Sequence, residues 1–360
     1  MRCIGLISGT SVDGIDCALL EIEGPHIELL GHYSHAYPSA LRRQLLALTE
    51  RPSLSLSEFG LIDNAVGECF AEAARQLLEQ QELSADDVDA IGSHGQNIWH
   101  QPARQLTMQI GNPSIIAART GITTVADFRR KDVALGGEGA PLAPAFHQAL
   151  FADERARVGV LNIGGIANLS VLRDGEVTGF DTGPGNALMD AWHEQHQGGT
   201  FDEDGRWASQ GQVNPALLQA LMATPYLHQA PPKSTGRELF NLAWLQRHLA
   251  EHPTDPTDVQ RSLLEFTAQS IAGACIASDP DFARIAVCGG GAHNGALMQR
   301  LAELLPCELT TTDALGFPGD WIEAGAFAWF AAQTLQGLPA NRASVTGASR
   351  NAVLGGIYPP

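Results

Sequence analysis

The sequence predicts an α/β protein of two domains, and three observations lead to this prediction. The chain has 360 residues, which is more than one hydrophobic core comfortably organises, so two lobes with a cleft are expected. Apolar runs of strand length alternate with segments of helical spacing along most of the chain. A strand–turn–strand unit at residues 3–22 recurs at residues 158–172 in the order of its elements, although the identity between the segments is slight.

The first part of the chain begins with two apolar runs around a turn-rich centre, which predicts a β-hairpin over residues 3–22. Further strand patterns follow at residues 26–37, 88–93, 106–110 and 123–126. Helical spacing of apolar residues appears at residues 41–48 and 59–78 and from Ser114 onward. A hairpin followed by alternating helices and strands is typical of an α/β lobe.

The second part of the chain repeats this beginning, because a third strand at residues 176–180 again follows the hairpin. Helical patterns come next, at residues 186–196, 215–222, 239–249 and 258–277. A strand at residues 284–288 leads into three glycines, and helices follow at residues 295–305 and 321–335. Residues 337–360 have loop chemistry throughout. We expect an N-terminal lobe of residues 1–135 plus 340–360 and a C-terminal lobe of residues 136–339.

Composition narrows the class of function. The formal net charge of −18 repels a polyphosphate backbone, so nucleic acid is not an expected partner. The run Arg129, Arg130 and Lys131 could hold one anionic group of a small substrate, or could be a solvated turn. The six cysteines are scattered and predict reduced thiols. No apolar stretch reaches membrane-spanning length and the chain starts directly with a strand pattern, so we expect a cytoplasmic enzyme.

The turn between the first two strands contains Gly9, Thr10, Ser11, Val12, Asp13, Gly14, Ile15 and Asp16. Its glycines let backbone amides approach a phosphate, and Thr10 and Ser11 offer hydroxyl donors. Asp13 or Asp16 can face a hydrated magnesium ion. From spacing alone, phosphate binding and an ordinary tight hairpin explain this pattern about equally well.

Two further glycine turns follow strands. Gly164 and Gly165, with Asn168 close behind them, form the short turn of the second hairpin, and the two hairpins together could grip a triphosphate. Gly289, Gly290 and Gly291 precede a helix that begins near Asn294, where a backbone free of side chains can lie against a planar or phosphorylated ligand. The sequence contains neither a dinucleotide-binding fingerprint nor the Gly-x-x-x-x-Gly-Lys-Ser/Thr phosphate loop.

One carboxylate stands out as a candidate catalyst. Asp181 ends a strand and enters the rigid turn Thr-Gly-Pro-Gly-Asn before a helix. A phosphoryl-transfer enzyme needs a carboxylate at such a place to take a proton from the attacking oxygen, although an Asp can also cap the helix. Lesser candidates, each of which could equally be structural, are His94, Gln96, Arg129 and Glu323.

Six ordered blocks of the sequence resemble the anhydro-N-acetylmuramic acid kinases, a branch of the sugar kinase/heat-shock-protein/actin superfamily. They include Ser-His-Gly-Gln and Asp-Thr-Gly-Pro-Gly-Asn, and they lie at residues 5–16, 93–96, 127–142, 162–169, 181–186 and 288–294. The resemblance spans nearly the whole chain. It implies an actin/hexokinase-like (ribonuclease H-like) α/β fold of two lobes with an interlobe cleft, and a homodimer.

The resemblance also implies ATP and Mg²⁺ as cofactors. By this resemblance, the phosphates of ATP would bind to residues 9–16 and to the Gly164-Gly165 turn with Asn168. The adenosine would bind to residues 289–291 with Asn294. Many kinases and ATPases of the wider superfamily carry Asp at the end of the first strand, where this chain has Ser8. We therefore assign no metal ligand in the protein.

The implied reaction converts 1,6-anhydro-N-acetylmuramic acid, ATP and water into N-acetylmuramic acid 6-phosphate and ADP, in peptidoglycan recycling. Asp181 would activate the water, and Glu323 would help to position the water or the sugar. Arg129 suits the lactyl carboxylate of the sugar, while His94 and Gln96 would bind other polar groups of the sugar. A sensing module on the same scaffold and an ATPase without a sugar substrate are the alternative classes.

Overall fold

The computed structural model describes residues 1–9, 12–50, 53–153, 156–231, 233–236 and 238–360. Its contacts divide the chain into two compact units, which we call unit 1 (Met1–Leu150 with Trp321–Pro360) and unit 2 (Phe151–Asp320). Each unit is an α/β structure built on its own mixed sheet, so the predicted fold class is confirmed.

The elements are as follows in chain order. The strands are β1 (Arg2–Ser8), β2 (Gly14–Glu23), β3 (His26–Ala36), β4 (Ala90–Gln101), β5 (Leu106–Ile110), β6 (Thr124–Ala126), β7 (Val158–Ile163), β8 (Ile166–Arg173), β9 (Glu176–Pro184), β10 (Arg284–Cys288), β11 (Glu308–Thr311) and β12 (Gly356–Tyr358). The α-helices are α1 (Ser39–Glu50), α2 (Leu56–Gln80), α3 (Pro113–Thr120), α4 (Phe128–Ala134), α5 (Ala143–Phe151), α6 (Ala187–Gln197), α7 (Pro215–Met222), α8 (Leu242–Glu251), α9 (Pro256–Ser278), α10 (Gly295–Leu304), α11 (Ile322–Leu335) and α12 (Ala343–Thr346). Short 3-10 helices span Ala85–Asp87, Pro102–Arg104, Glu203–Gly205, Ala208–Gln210, Pro225–His228, Gly290–His293 and Gly319–Trp321.

The sheet of unit 1 has the strand order β12-β6-β4-β1-β2-β3, with β5 added to β4. Strands β1, β2 and β3 form an antiparallel meander, and β4 and β6 continue the sheet in parallel with β1. One face of this sheet packs on α2, where Phe70 and Ile91 are fully buried. Burial of such side chains drives the packing of helix on sheet.

The sheet of unit 2 has the order β11-β10-β7-β8-β9 and repeats this arrangement. Strands β7, β8 and β9 form the antiparallel meander, and β10 and β11 run parallel to β7. The long helix α9 fills the core below it, with Leu263 and Phe266 fully buried. The weak internal repeat in the sequence therefore corresponds to two sheets with one strand order.

Helix α11 packs on the second face of the unit 1 sheet. An added Cβ at Gly5 would overlap the backbone of Ala324, and one at Gly92 would overlap the backbone of Phe327. These two glycines therefore allow the helix backbone to lie directly on β1 and β4. The contacts accordingly assign α5 and α11 to unit 1, although the predicted N-terminal lobe ended at residue 135 and resumed at residue 340.

The prediction that residues 337–360 are loop throughout is wrong, because α12 and β12 lie within them. The three residues of β12 pair antiparallel with β6 and form an edge of the unit 1 sheet. Such short elements lack the length over which apolar periodicity becomes visible in a sequence. Within the described parts of the chain, no helix is both long enough and apolar enough to cross a membrane.

Candidate active site

The turn between β1 and β2 is the first candidate phosphate element. Thr10 and Ser11, the predicted hydroxyl donors, lie outside the described residues. On either side of them the Val12 amide donates to the Gly9 carbonyl at 3.2 Å. Val12 is buried and has φ 55°, a left-handed conformation that is rare for a β-branched residue. Backbone strain of this kind, at a single residue, is common at ligand-binding sites.

Gln96 holds the start of this turn. Its side chain is 1% exposed. Its Oε1 accepts from the hydroxyl of Ser8 at 2.6 Å and from that of Tyr37 at 3.4 Å. Its Nε2 donates to the carbonyls of Gly9 at 3.1 Å and Asn97 at 3.3 Å. The amide is thus fully engaged with protein groups, so this geometry suits a residue that supports the turn.

Arg42 from α1 holds the other end of the turn. Its Nε donates to the Val12 carbonyl at 3.0 Å, and its Nη2 donates to Asp13 Oδ1 at 3.1 Å. The side chain of Asp13 is 72% exposed, so the ion pair is in contact with solvent. Asp16, at the start of β2, accepts a hydrogen bond from Ser34 at 2.6 Å.

His94, which is buried, and Arg129, which is half-buried, form a pair in unit 1. Nδ1 of His94 donates to the Gly95 carbonyl at 2.9 Å, and its Nε2 accepts from Arg129 Nε at 3.0 Å. The ring is 6% exposed and packs against Phe327, with 4.7 Å between centroids. Burial, followed by the Arg129 charge, holds the pKa of His94 well below its usual range. His94 is therefore a neutral acceptor for Arg129.

Arg129 keeps one guanidinium nitrogen available. Besides the bond to His94, its Nη1 donates to the Gly139 carbonyl at 3.0 Å, whereas Nη2 has no partner among the described residues. Burial lowers the pKa of Arg129 to about 10, against the opposing effects of Glu323 and Asp132. The group stays cationic at neutral pH and can receive an anion through Nη2.

Glu323 stands in the first turn of α11. Its side chain is exposed, yet desolvation by the surrounding protein raises its pKa, and Arg129 acts against this rise. Asp16 adds a further, smaller rise. Unit 1 thus brings Arg129 and Glu323 into electrostatic contact, while Gln96 and His94 lie behind them in the protein.

The second glycine turn, in unit 2, is held by backbone groups. The amides of Gly185 and Ala187 donate to the Gly165 carbonyl at 3.0 and 3.1 Å, and the Asn186 amide donates to the Gly164 carbonyl at 2.8 Å. An added Cβ at Gly185 would overlap the Gly164 carbonyl oxygen. The turn therefore packs against the segment that follows β9 with no room for a side chain.

Asn168, predicted with this turn, lies inside β8. It is opposite Asn162 in β7 and opposite Asp181 in β9. The strand register therefore brings Asn168 beside the candidate base and away from the tip of the turn.

Asp181, near the end of β9, is held on one side. Its Oδ2 accepts from the Ser234 hydroxyl at 2.8 Å and from the Thr235 amide at 2.9 Å. Its backbone carbonyl accepts from the Tyr226 hydroxyl at 2.7 Å, and its backbone amide donates to the Lys233 carbonyl at 3.2 Å. Among the described residues, Oδ1 has no hydrogen-bond donor.

The electrostatics of Asp181 suit a proton acceptor. Desolvation raises its pKa, the hydrogen bonds from Thr235 and Ser234 act against this rise, and Glu238 adds to it. The alternative that Asp181 caps the next helix does not hold, because Asn186 occupies the N-cap of α6. A desolvated carboxylate with one unpartnered oxygen can take a proton from a bound hydroxyl or water.

The third glycine run borders a cavity of about 600 Å³ in unit 2. Gly289 has φ 76°, and an added Cβ there would overlap the Asn162 side chain, so only glycine fits. Asn294 caps α10 by accepting from the Leu297 amide at 3.1 Å. The cavity is lined by Asn186, Asp190, Phe201, Asp202, Glu203, Asp204, Arg206, Gly290, His293 and Asn294.

The lining of this cavity favours an uncharged ligand part with hydroxyl groups. Four of its residues are carboxylic acids, and the one arginine, Arg206, is paired with Glu203 at 3.0 Å. Carboxylates accept from hydroxyls and repel phosphates. Phe201 is 59% exposed and offers an apolar ring to a planar group. These features match a nucleoside better than a triphosphate.

A sequence profile of the anhydro-N-acetylmuramic acid kinases matches residues 1–360, the whole chain. The chain belongs to the anhydro-N-acetylmuramic acid kinase family. It is therefore a kinase, as the sequence predicted. The actin/hexokinase-like class expected for this family agrees with the common strand order of the two sheets.

Several solved structures are similar to this member of the family at low identity. Component A of the (R)-2-hydroxyglutaryl-CoA dehydratase from Acidaminococcus fermentans is 12% identical, with 92% of this chain and 99% of that chain covered and a TM-score of 0.49. The ROK hexokinase from Thermus thermophilus is 16% identical, with 92% and 99% covered and a TM-score of 0.41. A ROK family glucokinase from Streptomyces griseus, in complex with glucose and AMPPNP, is 13% identical, with 92% and 100% covered and a TM-score of 0.43.

Some residues of the site escaped the sequence analysis. Ser234 and Thr235 lie more than fifty positions from Asp181 along the chain, in the run Lys-Ser-Thr-Gly. The polar, glycine-bearing character of this run between two helices was the available signal. The acids at residues 202–204 and Arg42 carried no recognisable pattern. No group of three or more His, Cys, Asp or Glu residues suited to a metal occurs in the described ranges.

Proposed function

We propose that the protein is an ATP-dependent kinase that opens the 1,6-anhydro ring of anhydro-N-acetylmuramic acid with water and phosphorylates O6. The products are N-acetylmuramic acid 6-phosphate and ADP. The family match supports this substrate and a role in cell-wall recycling. The observation that carries the chemistry is Asp181, whose Oδ2 is bound by Ser234 and Thr235 while Oδ1 has no described partner.

In the proposed mechanism, Asp181 Oδ1 removes a proton from a water molecule. The water oxygen attacks the anomeric carbon, and the bond from that carbon to O6 breaks. The electron pair of this bond goes to O6, which attacks the γ-phosphorus of ATP and displaces ADP. Because the phosphoryl group captures O6, the leaving oxygen needs no separate acid.

The nucleotide is proposed to use three elements. The cavity beside Gly290 takes the adenosine, since its acids suit the ribose hydroxyls and Phe201 suits the base. The turn between β1 and β2 and the Gly164-Gly165 turn bind the phosphates. Mg²⁺ would be held by the phosphates and water, as is usual for this ion, with Asp16 as the nearby carboxylate of the first turn. Bound there, the ion would neutralise charge on the phosphates.

The sugar is proposed to meet unit 1. Nη2 of Arg129 receives the lactyl carboxylate, and the exposed carboxyl of Glu323 binds a hydroxyl or positions the water. His94 and Gln96 were predicted to touch the sugar. Their buried contacts favour supporting roles, His94 behind Arg129 and Gln96 behind the first turn.

A coupled assay of ADP release tests the proposed function. Anhydro-N-acetylmuramic acid should support turnover, whereas ring-opened N-acetylmuramic acid and a reaction without sugar should not. Equal rates in all three reactions would contradict the proposal and favour a simple ATPase. Binding of ATP without any turnover would favour a sensing module.

The role of Asp181 is tested by Asp181→Asn. Loss of the proton acceptor should lower kcat by about 10³-fold or more while ATP still binds. Calorimetry with a non-hydrolysable ATP analogue supplies the control for binding. A kcat close to that of the wild type would remove Asp181 from its role.

The homodimer implied by the family stays a prediction, and light scattering tests it.

A further inference from the structure

The two carboxylate oxygens of Asp181 have different surroundings. Oδ2 accepts two hydrogen bonds, from the Ser234 hydroxyl and from the Thr235 amide. Both donors belong to one short run, residues 233–236, which we call the base-holding segment. Oδ1 receives nothing from the described residues. A carboxylate held through one oxygen cannot rotate freely about its Cβ–Cγ bond.

The base-holding segment is itself fixed by Lys233. Nζ of Lys233 donates to the carbonyls of Tyr226 at 3.2 Å and Leu227 at 3.1 Å. The same ammonium group lies 4.9 Å from the centroid of the Tyr226 ring, a cation–π distance. The Tyr226 hydroxyl in turn donates to the Asp181 carbonyl at 2.7 Å.

These bonds form a hydrogen-bond network around Asp181. The Lys233 carbonyl accepts from the Asp181 amide, so one backbone hydrogen bond joins the segment to β9 at the base itself. The backbone of Asp181 is thus bound through its carbonyl by Tyr226 and through its amide by Lys233, while Ser234 and Thr235 bind the side chain. This hydrogen-bond network fixes both the position of the carboxylate and its rotation.

We propose that the base-holding segment assigns the two oxygens of Asp181 different tasks, so that Oδ2 anchors the group and Oδ1 alone takes the proton from water. This inference rests on the proposed function, in which Asp181 is the base. Ser234 and Thr235 are positioning residues, because they act through Asp181. When Oδ1 takes the proton, the two donors stay on Oδ2, so the group keeps its orientation through the step.

The hydrogen bond from Ser234 has a measurable consequence. It stabilises the charged form of the carboxylate, so Ser234→Ala should raise the pKa of Asp181. The acid limb of the profile of kcat/KM against pH should then shift upward by about 0.5 to 1 unit. Ser234→Thr retains the hydroxyl and should bring the limb back. Ser209→Ala, which removes a hydroxyl that donates to the Gly205 carbonyl elsewhere in unit 2, should leave the limb in place.

A direct titration separates this inference from the proposed function. With ¹³C-labelled aspartate, the Asp181 carboxyl signal, assigned by its loss in Asp181→Asn, can be followed by NMR without any substrate. The signal should titrate at higher pH in Ser234→Ala than in the wild type. Thr235→Ala should leave this titration unchanged, because Thr235 donates through its backbone amide.

The outcomes are distinct. If the wild type fails to convert the anhydro sugar, the proposed function fails, while the NMR titration still decides the role of the segment. If Asp181 titrates at the same pH in Ser234→Ala and in the wild type, the division of tasks between Oδ2 and Oδ1 is wrong. A shift in Ser234→Ala that Ser234→Thr does not reverse also overturns it, since the hydroxyl would then not be the cause.

Discussion

The two glycine turns occupy equivalent places in two sheets of the same strand order, but they are held in different ways. The turn between β1 and β2 is supported by side chains, namely Gln96 at its start and Arg42 at its end. The turn between β7 and β8 is supported by the backbone amides of residues 185–187. Two turns at equivalent places in the two sheets are therefore stabilised by different kinds of contact.

This difference has consequences for substitution. A turn held by side chains fails when one of those side chains is removed. The turn between β7 and β8 is held mainly by the backbone, with one side-chain bond from Asn186 Nδ2 to the Ile163 carbonyl at 3.2 Å. Such a turn is less sensitive to the loss of side chains, but it fails when a Cβ is placed where the backbones meet. Substitutions in the two units should therefore differ in their effects on stability and on ATP binding.

The largest effect is expected in unit 2 from Gly185→Ala. The added Cβ would overlap the Gly164 carbonyl oxygen, which belongs to the backbone and cannot turn aside. We expect a loss of about 3 kcal/mol in the free energy of unfolding. Urea unfolding measures it, with Gly273→Ala as the control, because the exposed Gly273 in α9 has no atoms near its Cβ position. Equal stability of the two variants would contradict the close packing of the turn.

In unit 1 the corresponding change is Gln96→Ala. The buried Ser8 hydroxyl would lose its acceptor, and the Gly9 carbonyl would keep only the Val12 amide as a donor, at a cost of about 2 to 3 kcal/mol. The KM for ATP should rise as the turn loosens. Hydrogen exchange should quicken around residues 5–14 and stay unchanged around residues 163–187. Quickening in both regions would mean that the two turns are not supported independently.

Low pH should destabilise unit 1 more than unit 2. His147 in unit 1 is 1% exposed, and burial lowers its pKa from 6.5 to about 4. As the pH falls, His147 is protonated in the unfolded chain at a higher pH than in the folded chain. Its contribution to the free energy of unfolding is therefore fully present above about pH 6.5 and is lost as the pH drops towards 4. Between pH 6.5 and 5 the loss is about 2 kcal/mol. His94 acts in the same direction, whereas no described histidine of unit 2 is buried.

Hydrogen exchange at pH 7 and pH 5, corrected for the intrinsic rate, measures this acid effect in each unit. Unit 1 should lose protection relative to unit 2. His147→Gln should reduce the difference, because the group that titrates is removed. A larger loss in unit 2 would show that other groups dominate the acid response.

The smallest effect is expected from Arg42→Ala. The ion pair with Asp13 is solvent-exposed, so less than about 1 kcal/mol of stability should be lost. The KM for ATP should rise at low salt, and the difference from the wild type should shrink as salt screens the charge. A difference that is independent of salt would point to the bond with the Val12 carbonyl as the important contact.

Local signals in the sequence were sufficient to predict most of the fold. Helix α7 and strand β10 have the predicted bounds, because apolar periodicity over several residues reports directly on burial. Strand β11 was missed because only one of its four residues, Leu309, is apolar. Gly289 was selected as the first residue of a glycine run, and its φ of 76° in the structure is a conformation that favours glycine at this position.

The site was less accessible to prediction, because its geometry depends on contacts between distant parts of the chain. Asp181 could be selected because the rigid run Thr-Gly-Pro-Gly-Asn follows it, although β9 does not end there as predicted but continues to Pro184. Its partners Ser234 and Thr235 could not, since nothing in the sequence reports which strand a loop returns to. The support that Gln96 gives to the first turn could not be predicted for the same reason, because a polar residue after a strand looks alike in the sequence whether it faces a ligand or supports a turn.

The close packing of α11 on Gly5 and Gly92 has a last consequence. At these two glycines no side chain separates the helix backbone from the strands, so no flexible side chain there can absorb a shift of one against the other. Glu323, in the first turn of that helix, is therefore held in position by the packing of α11 on the sheet. A larger residue at either glycine would push α11 away from the sheet and move Glu323 with it. Such a substitution should lower the activity although neither glycine is proposed to touch the substrate.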